Sequence, residues 1–283
     1  MANNLNMMAM RHAGSIGGVF RLRKPSLRRS RRGRLYLKAS LEDMGGALTA
    51  YLWDEELCRR FSLTDLSPAY VEGTLRHRQD GPVVDLELLA SERITAAGEI
   101  VRLIPQSVCP RPWLLPFLQA AVERVTIPAL AEFVASVLGD DGIAFPFVAA
   151  PASLNHHHNH PGGLLEHSLE CVQMVARHRE FAKTNFELGL VAALFHDIGK
   201  ILTMTPQMKR TTLGQSMDHE KLTLELLAPH LMRLDWDWPA GASELRYLLT
   251  WKLKQKVPRY DMADLVACCD RVSSGLDWRK RAH

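Results

Sequence analysis

Residues 188–200 read LGLVAALFHDIGK. The run from Leu188 to Phe195 is an apolar helix, and it ends on His196-Asp197 followed by Gly199-Lys200. A neutral imidazole beside a hard carboxylate suits Mn²⁺, Fe²⁺, Zn²⁺ or Mg²⁺ better than a thiolate set would. Isolated His-Asp pairs arise often by chance. The apolar helix before this pair and the Gly-Lys after it set it apart.

Two further stretches bear on the same chemistry. Upstream, residues 155–167 read NHHHNHPGGLLEH and place four of the 12 histidines within five positions, 156 to 160. Chance enrichment in a surface loop accounts for one or two of these, not the group. Downstream, Asp270 closes the largely apolar segment 264–270. A carboxylate on an apolar face is costly unless paired, so Asp270 needs a metal, or a salt bridge to Arg271 or Arg279.

Around these residues the chain reads helical from Leu114 onward, with patterns near 164–180, 187–200, 218–232, 242–255 and 261–275. Trp236 and Trp238 read as packing residues. Pro105, Pro110, Pro112 and Pro116 mark a domain boundary. Before them, Leu35, Leu37, Ala39 and Leu41 alternate with polar positions, the period of a strand. Further strands are expected over 47–53, 70–78 and 83–89, with Gly45-Gly46 and Asp80-Gly81-Pro82 as turns and a short helix over 54–62. Short strands with tight turns suggest a small barrel. The expected fold class is α+β: a small N-terminal antiparallel β-barrel over 34–104, then an all-α domain over 105–283, with residues 1–33 as a basic flexible arm.

Charge supports separating that arm. The net charge is +4, yet residues 1–40 hold ten Lys/Arg and no acid, leaving 25 basic against 31 acidic residues elsewhere, a net of −6. A block such as RLRKPSLRRSRRGR, with Arg28, Arg29, Arg31 and Arg32 at its centre, can bind phosphates by counterion release, or be a passive tail. A targeting arm is a third reading, but Pro25 and Gly33 interrupt the amphipathic helix it needs. The five cysteines are scattered and lack CxxC spacing, as expected of buried thiols in a reduced, cytoplasmic setting. No apolar run approaches the roughly 20 residues that span a bilayer.

His167, His196-Asp197 and Asp270 resemble, in order and setting, the H…HD…D pattern of the HD superfamily of metal-dependent phosphohydrolases. The resemblance implies that these four side chains bind a divalent metal. The string 143–167, IAFPFVAAPASLNHHHNHPGGLLEH, is similar to bacterial 3′–5′ exoribonucleases that join an OB-fold domain to an HD domain, and residues 35–54 and 70–89 resemble OB strands. HD-type conjugative relaxases share the triple His followed by PGGLL. Either relative implies single-stranded RNA or DNA as partner. A small-nucleotide phosphohydrolase and a non-enzymatic conjugation accessory protein are the alternatives. One departure stands out: the exoribonucleases carry a further His pair before the last Asp, and residues 249–254 contain no His. His219 is the remaining candidate for an additional ligand.

The resemblance also suggests roles around the metal, which would lower the pKa of bound water and neutralise phosphoryl charge. Lys200 would reach substrate phosphate, or serve as a helix C-terminal cation. His157 and His158 would supply a proton to the leaving oxygen or bind phosphate. Glu166 would orient a ligand or face solvent. On the barrel, Tyr36, Tyr51, Trp53 and Tyr70 are candidate stacking residues and Arg76 and Arg78 candidate phosphate contacts, with core packing the alternative for each ring.

Overall fold

The computed structural model describes residues 14–60, 68–92, 94, 96–251 and 257–281. They fall into two compact units, one drawn from Met1–Ile94 and Glu99–Ser107, the other from Thr95–Gly98 and Val108–His283.

The first unit is a closed barrel. Its strands are β1 (Ser15–Arg29), β2 (Leu35–Asp43), β3 (Gly46–Leu52), β4 (Ala69–Arg78) and β5 (Gly81–Ser91), in the order β1-β2-β3-β5-β4. Alternation places Leu37, Ala39 and Leu41 of β2 inside with Leu48, Ala50 and Leu52 of β3, as the period of two requires. Helix α1 (Glu55–Arg60) follows β3. Neighbouring strands are antiparallel except β3 and β5, which run parallel with Tyr51 opposite Asp85. The expectation of a wholly antiparallel barrel is corrected there: β5 inserts beside β3 after the β4 excursion. The order is compatible with an OB fold.

The expected flexible arm is also corrected. Residues 15–29 are the first barrel strand, with Ile16, Phe20 and Leu22 in the core. Pro25 is tolerated because the register shifts between Arg23 and Ser26 and Lys24 takes φ +50°, so a bulge absorbs the missing donor. Arg28 and Arg29 end the strand, and Arg31 and Arg32 lie in the turn to β2. Residues 1–13 of that expectation lie outside the described residues.

Helix α2 (Ala97–Arg102) is divided between the units, with its residues from Glu99 onward in the first. The second unit is helical: α3 (Leu115–Val122), α4 (Pro128–Gly139), α5 (Asp141–Ala149), α6 (Gly163–Val175), α7 (Lys183–Phe195), α8 (Lys200–Thr203), α9 (Thr212–Ser216), α10 (His219–Asp237), α11 (Pro239–Thr250) and α12 (Asp261–Arg281). A two-stranded ribbon, β6 (Met204–Thr205) and β7 (Lys209–Arg210), sits between α8 and α9. Every residue of α7 from Glu187 to Phe195 is buried, as an all-apolar helix must be. Its one carboxylate, Glu187, accepts from the backbone N–H of Thr126 and Ile127 and the Thr126 hydroxyl, which caps the entry to α4. Trp236 is 88% exposed, so it is not the packing residue expected. Among the described residues no helix is long and apolar enough to cross a membrane.

Candidate metal centre

Helix α7 delivers His196 and Asp197 to its C-terminal end, α6 presents His167 from its buried face, and α12 presents Asp270. Two glycines let the elements close in. A Cβ on Gly189 would lie 2.2 Å from Met262 Sδ, so the missing side chain lets α12 lie close against α7 at that point. A Cβ on Gly199 would lie 2.1 Å from the His219 carbonyl, so α10 crosses the turn after the His-Asp pair. Thr223 of α10 ties that turn by accepting from Gly199 N–H at 3.3 Å and donating to the His196 carbonyl at 3.2 Å.

The four side chains converge: their donor atoms all lie within 4.8 Å of one another. His167 Nε2 is 3.2 Å from His196 Nε2, 3.2 Å from Asp270 Oδ1 and 3.4 Å from Asp197 Oδ2. His196 Nε2 is 3.5 Å from Asp197 Oδ2 and 3.6 Å from Asp270 Oδ1.

The outer hydrogen bonds decide which nitrogens face inward as lone pairs. His196 Nδ1 is 3.0 Å from the Ala193 carbonyl, which can only accept, so the hydrogen of the neutral ring is on Nδ1. His167 Nδ1 is 2.9 Å from Ser273 Oγ, and that hydroxyl donates to Glu170 Oε2 at 2.7 Å. With its one hydrogen committed to a carboxylate, Ser273 must accept from His167 Nδ1–H. Both Nε2 lone pairs therefore point at each other and at two carboxylates. That donor set fits a divalent cation, with the Ala193 carbonyl and the Ser273 hydroxyl fixing the rings from outside it.

The electrostatics agree. Burial alone would raise Asp197, yet Lys200, His196, His167 and His219 hold it well below the usual carboxylate range. Asp270 is likewise held low, by His167 and His196 against burial. Burial pulls His196 down, but Asp197 and Asp270 outweigh it and the ring ends above its ordinary value. Cys171 Sγ lies 4.0 Å from His167 Nε2 and joins an alternative triad with His167 and His196. Burial pushes its thiol well above the ordinary value, so it is a neutral neighbour. Sequence reasoning passed over it, and only its i, i+4 spacing from His167 on α6 could have signalled it.

The remaining expectations fall out unevenly. His219 lies outside the converging four and contacts one of them, with Nε2 3.0 Å from Asp197 Oδ1. Lys200 is buried and its ammonium pairs with Asp197 Oδ2. It begins α8 rather than ending a helix, and it holds a ligand instead of reaching outward for phosphate. His157 packs against His167 with Nε2 3.2 Å from Ser274 Oγ. Burial, Lys200 and His167 lower its pKa to about 4, which leaves the ring neutral near pH 7. His158 is turned inward, 2% exposed, with Nε2 3.3 Å from Glu170 Oε2, which removes it from the substrate side. Glu166 faces Arg111 at 3.2 Å.

A cavity of about 660 Å³ opens on His196, Asp197 and Asp270. Lys221 and Arg271 line it as cations, and Leu248 and Val266 as apolar walls. In the sequence Arg271 stood out only as a possible salt-bridge partner of Asp270, and Lys221 sat among ordinary helical surface charges.

The barrel carries a second feature. Tyr36, Tyr51 and Trp53 stack: the centroids of Tyr36 and Trp53 are 4.7 Å apart, and those of Tyr51 and Trp53 5.8 Å. The Arg78 guanidinium lies 4.7 Å from the Tyr51 ring centre. Arg76 and Arg78 both reach Asp85, at 3.5 and 3.0 Å, and Trp53 Nε1 donates to it at 3.1 Å. Arg28 is the cross-strand partner of Tyr36 and Lys38 that of Tyr51, so all four share one face. Arg28, Arg29, Arg31 and Arg32 are exposed. Tyr70 stands apart, its hydroxyl donating to Glu72 at 2.7 Å.

The family model of the HD domain matches residues 164–273. That stretch contains His167, His196, Asp197 and Asp270, the four that converge here. No curated protein matches the chain. The second unit is a helical HD domain, and its presence indicates a metal-dependent phosphohydrolase. A divalent ion held by these four residues would supply charge neutralisation at a phosphoryl oxygen and hydroxide near neutral pH.

Proposed function

We propose that the chain hydrolyses phosphodiester bonds in single-stranded nucleic acid, as a metal-dependent 3′–5′ exonuclease. The observation that carries this reading is the outer barrel face on which the half-buried rings of Tyr36, Tyr51 and Trp53 stack beside Arg28, Lys38 and Arg78. Bases stack on such rings whatever their sequence, while cations track the backbone. A hydrolase of free nucleotides has no use for that face. In the HD domain, Lys221 and Arg271 draw the phosphate towards the His167–His196–Asp197–Asp270 centre, and Leu248 and Val266 offer apolar surface to a base or sugar. Lys200 keeps Asp197 ionised and oriented. Similarity to the OB–HD exoribonucleases supports the polarity, and the relaxase-like string supports the same bond chemistry.

The test is degradation of end-labelled single-stranded RNA and DNA by the full chain with Mn²⁺, with free and cyclic nucleotides in parallel. Stepwise loss from the 3′ end, abolished in Asp197→Asn and slowed on long strands in Trp53→Ala, is the expected result. Turnover of nucleotides with no action on strands favours the small-nucleotide reading, for which the 660 Å³ cavity has the size.

A further inference from the structure

The metal centre takes only His167 from the string 155–167. His158, His160 and Glu166 form a second group, sharing no residue with the first, whose donor atoms also lie within 4.8 Å of one another. His160 Nε2 is 3.2 Å from Glu166 Oε2, and His158 Nδ1 is 3.7 Å from the same oxygen.

The far side of each ring again fixes the near side. His160 Nδ1 lies 3.2 Å from the Pro161 carbonyl, an acceptor, so the hydrogen of the neutral ring is on Nδ1. His158 Nε2 lies 3.3 Å from Glu170 Oε2, also an acceptor when ionised. In neutral rings those two bonds leave the lone pairs on His160 Nε2 and His158 Nδ1, the two nitrogens that face Glu166. Two ring lone pairs and a carboxylate oxygen facing one another form a donor set that a divalent cation among them would satisfy.

The backbone is shaped to hold this arrangement. His158 sits at φ +46° and Gly162 at φ +78°. Gly163 can carry no side chain, since a Cβ would lie 2.0 Å from the His158 carbonyl oxygen. A non-glycine residue in that conformation persists only where its surroundings over-determine it, and such residues cluster at functional sites. Arg111 Nη1 lies 3.3 Å from Glu166 Oε1 and 3.2 Å from Oε2, the outer partner a ligating carboxylate usually has. His158 is buried, while the side chains of His160 and Glu166 are 24% and 28% exposed, which leaves an ion a way in.

We propose that His158, His160 and Glu166 bind a second divalent cation, Zn²⁺ or an ion of similar preference, separate from the HD centre. Two imidazoles and one carboxylate are a zinc-type donor set with a fourth position open to water. The ion pins the loop 155–163 to α6. Its effect reaches the HD centre through Glu170, which takes a hydrogen bond from Ser273, the residue that orients His167.

The test is zinc stoichiometry of the full chain, by equilibrium dialysis against buffered Zn²⁺ and elemental analysis, for wild type, Asp197→Asn, His160→Ala and Glu166→Gln. Two equivalents in wild type, with His160→Ala and Glu166→Gln each weakening one at least tenfold and leaving the other, support the site. The isosteric Glu166→Gln guards against a folding artefact. One equivalent, abolished in Asp197→Asn and retained in both other variants, overturns it. So do two equivalents that survive both His160→Ala and Glu166→Gln. An equivalent that survives Asp197→Asn but is lost in His160→Ala upholds this site and counts against the HD centre instead.

Discussion

At the scale of residues, the centre depends on which ring nitrogen carries the proton. Ser273 is fully buried and accepts from His167 only because Glu170 takes its hydrogen. Ser273→Ala removes that acceptor and should weaken metal binding about 10- to 100-fold, the usual cost of losing such a partner. Chelator competition measures it, and unchanged affinity would mean the ring is oriented by packing alone. His196 adds a pH dependence. Its pKa in the ion-free chain is raised, chiefly by Asp197 and Asp270 against burial. The ion pairs of the protonated ring therefore stabilise the ion-free fold fully below about pH 6.5, and that contribution is lost as pH rises through the higher folded value. A metal needs the lone pair the proton occupies. Its affinity should climb with pH over the same window, which titrations from pH 6 to 8 would follow. Flat affinity would place the ligating nitrogen elsewhere.

Among elements, the loop into α6 is the most constrained. Gly163→Ala forces a Cβ to 2.0 Å from the His158 carbonyl and should cost about 1–3 kcal/mol in urea denaturation. The basic hairpin of β1 and β2 makes a different prediction. Replacing Arg28, Arg29, Arg31 and Arg32 by Ala leaves the strand pairing intact. If all four meet phosphates of a single strand, the slope of log affinity against log salt should flatten by about 3. An unchanged slope would make these arginines bystanders. The same strand shows where sequence was hard to read. The alternation of β2 to β5 was legible because apolar and polar residues exchange cleanly, as in Leu35 to Leu41. In β1 the core positions Ile16, Phe20 and Leu22 are interrupted by a buried Arg21 and a bulge at Lys24-Pro25. Charge there outshouted period, and an ordered strand looked like an arm. The apolar helix before His196-Asp197 set that pair apart in the sequence, and the resemblance to the H…HD…D pattern added His167 and Asp270 as candidate ligands. The second group of His158, His160 and Glu166 could not be separated from it, since ring orientation depends on carbonyls and a φ that no spacing reveals. The place of Lys221 and Arg271 beside the cavity was equally hidden, because only the fold turns them towards it.

The whole molecule joins a barrel with a stacking face to an HD domain with a metal-type donor set, and the two are separable in their effects. Trp53→Ala should lower single-strand affinity by about 1–3 kcal/mol while leaving metal affinity untouched. Fluorescence anisotropy and chelator competition on one preparation would show both. Catalysis at the His167–His196–Asp197–Asp270 centre is what the proposed nuclease activity requires. The direct measurement is the rate at which the full chain and Asp197→Asn degrade a 3′- or 5′-labelled single strand with Mn²⁺ and with chelator. Metal-dependent shortening from the 3′ end by the wild type, reduced at least a hundredfold in Asp197→Asn, is the predicted result. Equal degradation by both proteins, or degradation that persists in chelator, would contradict it.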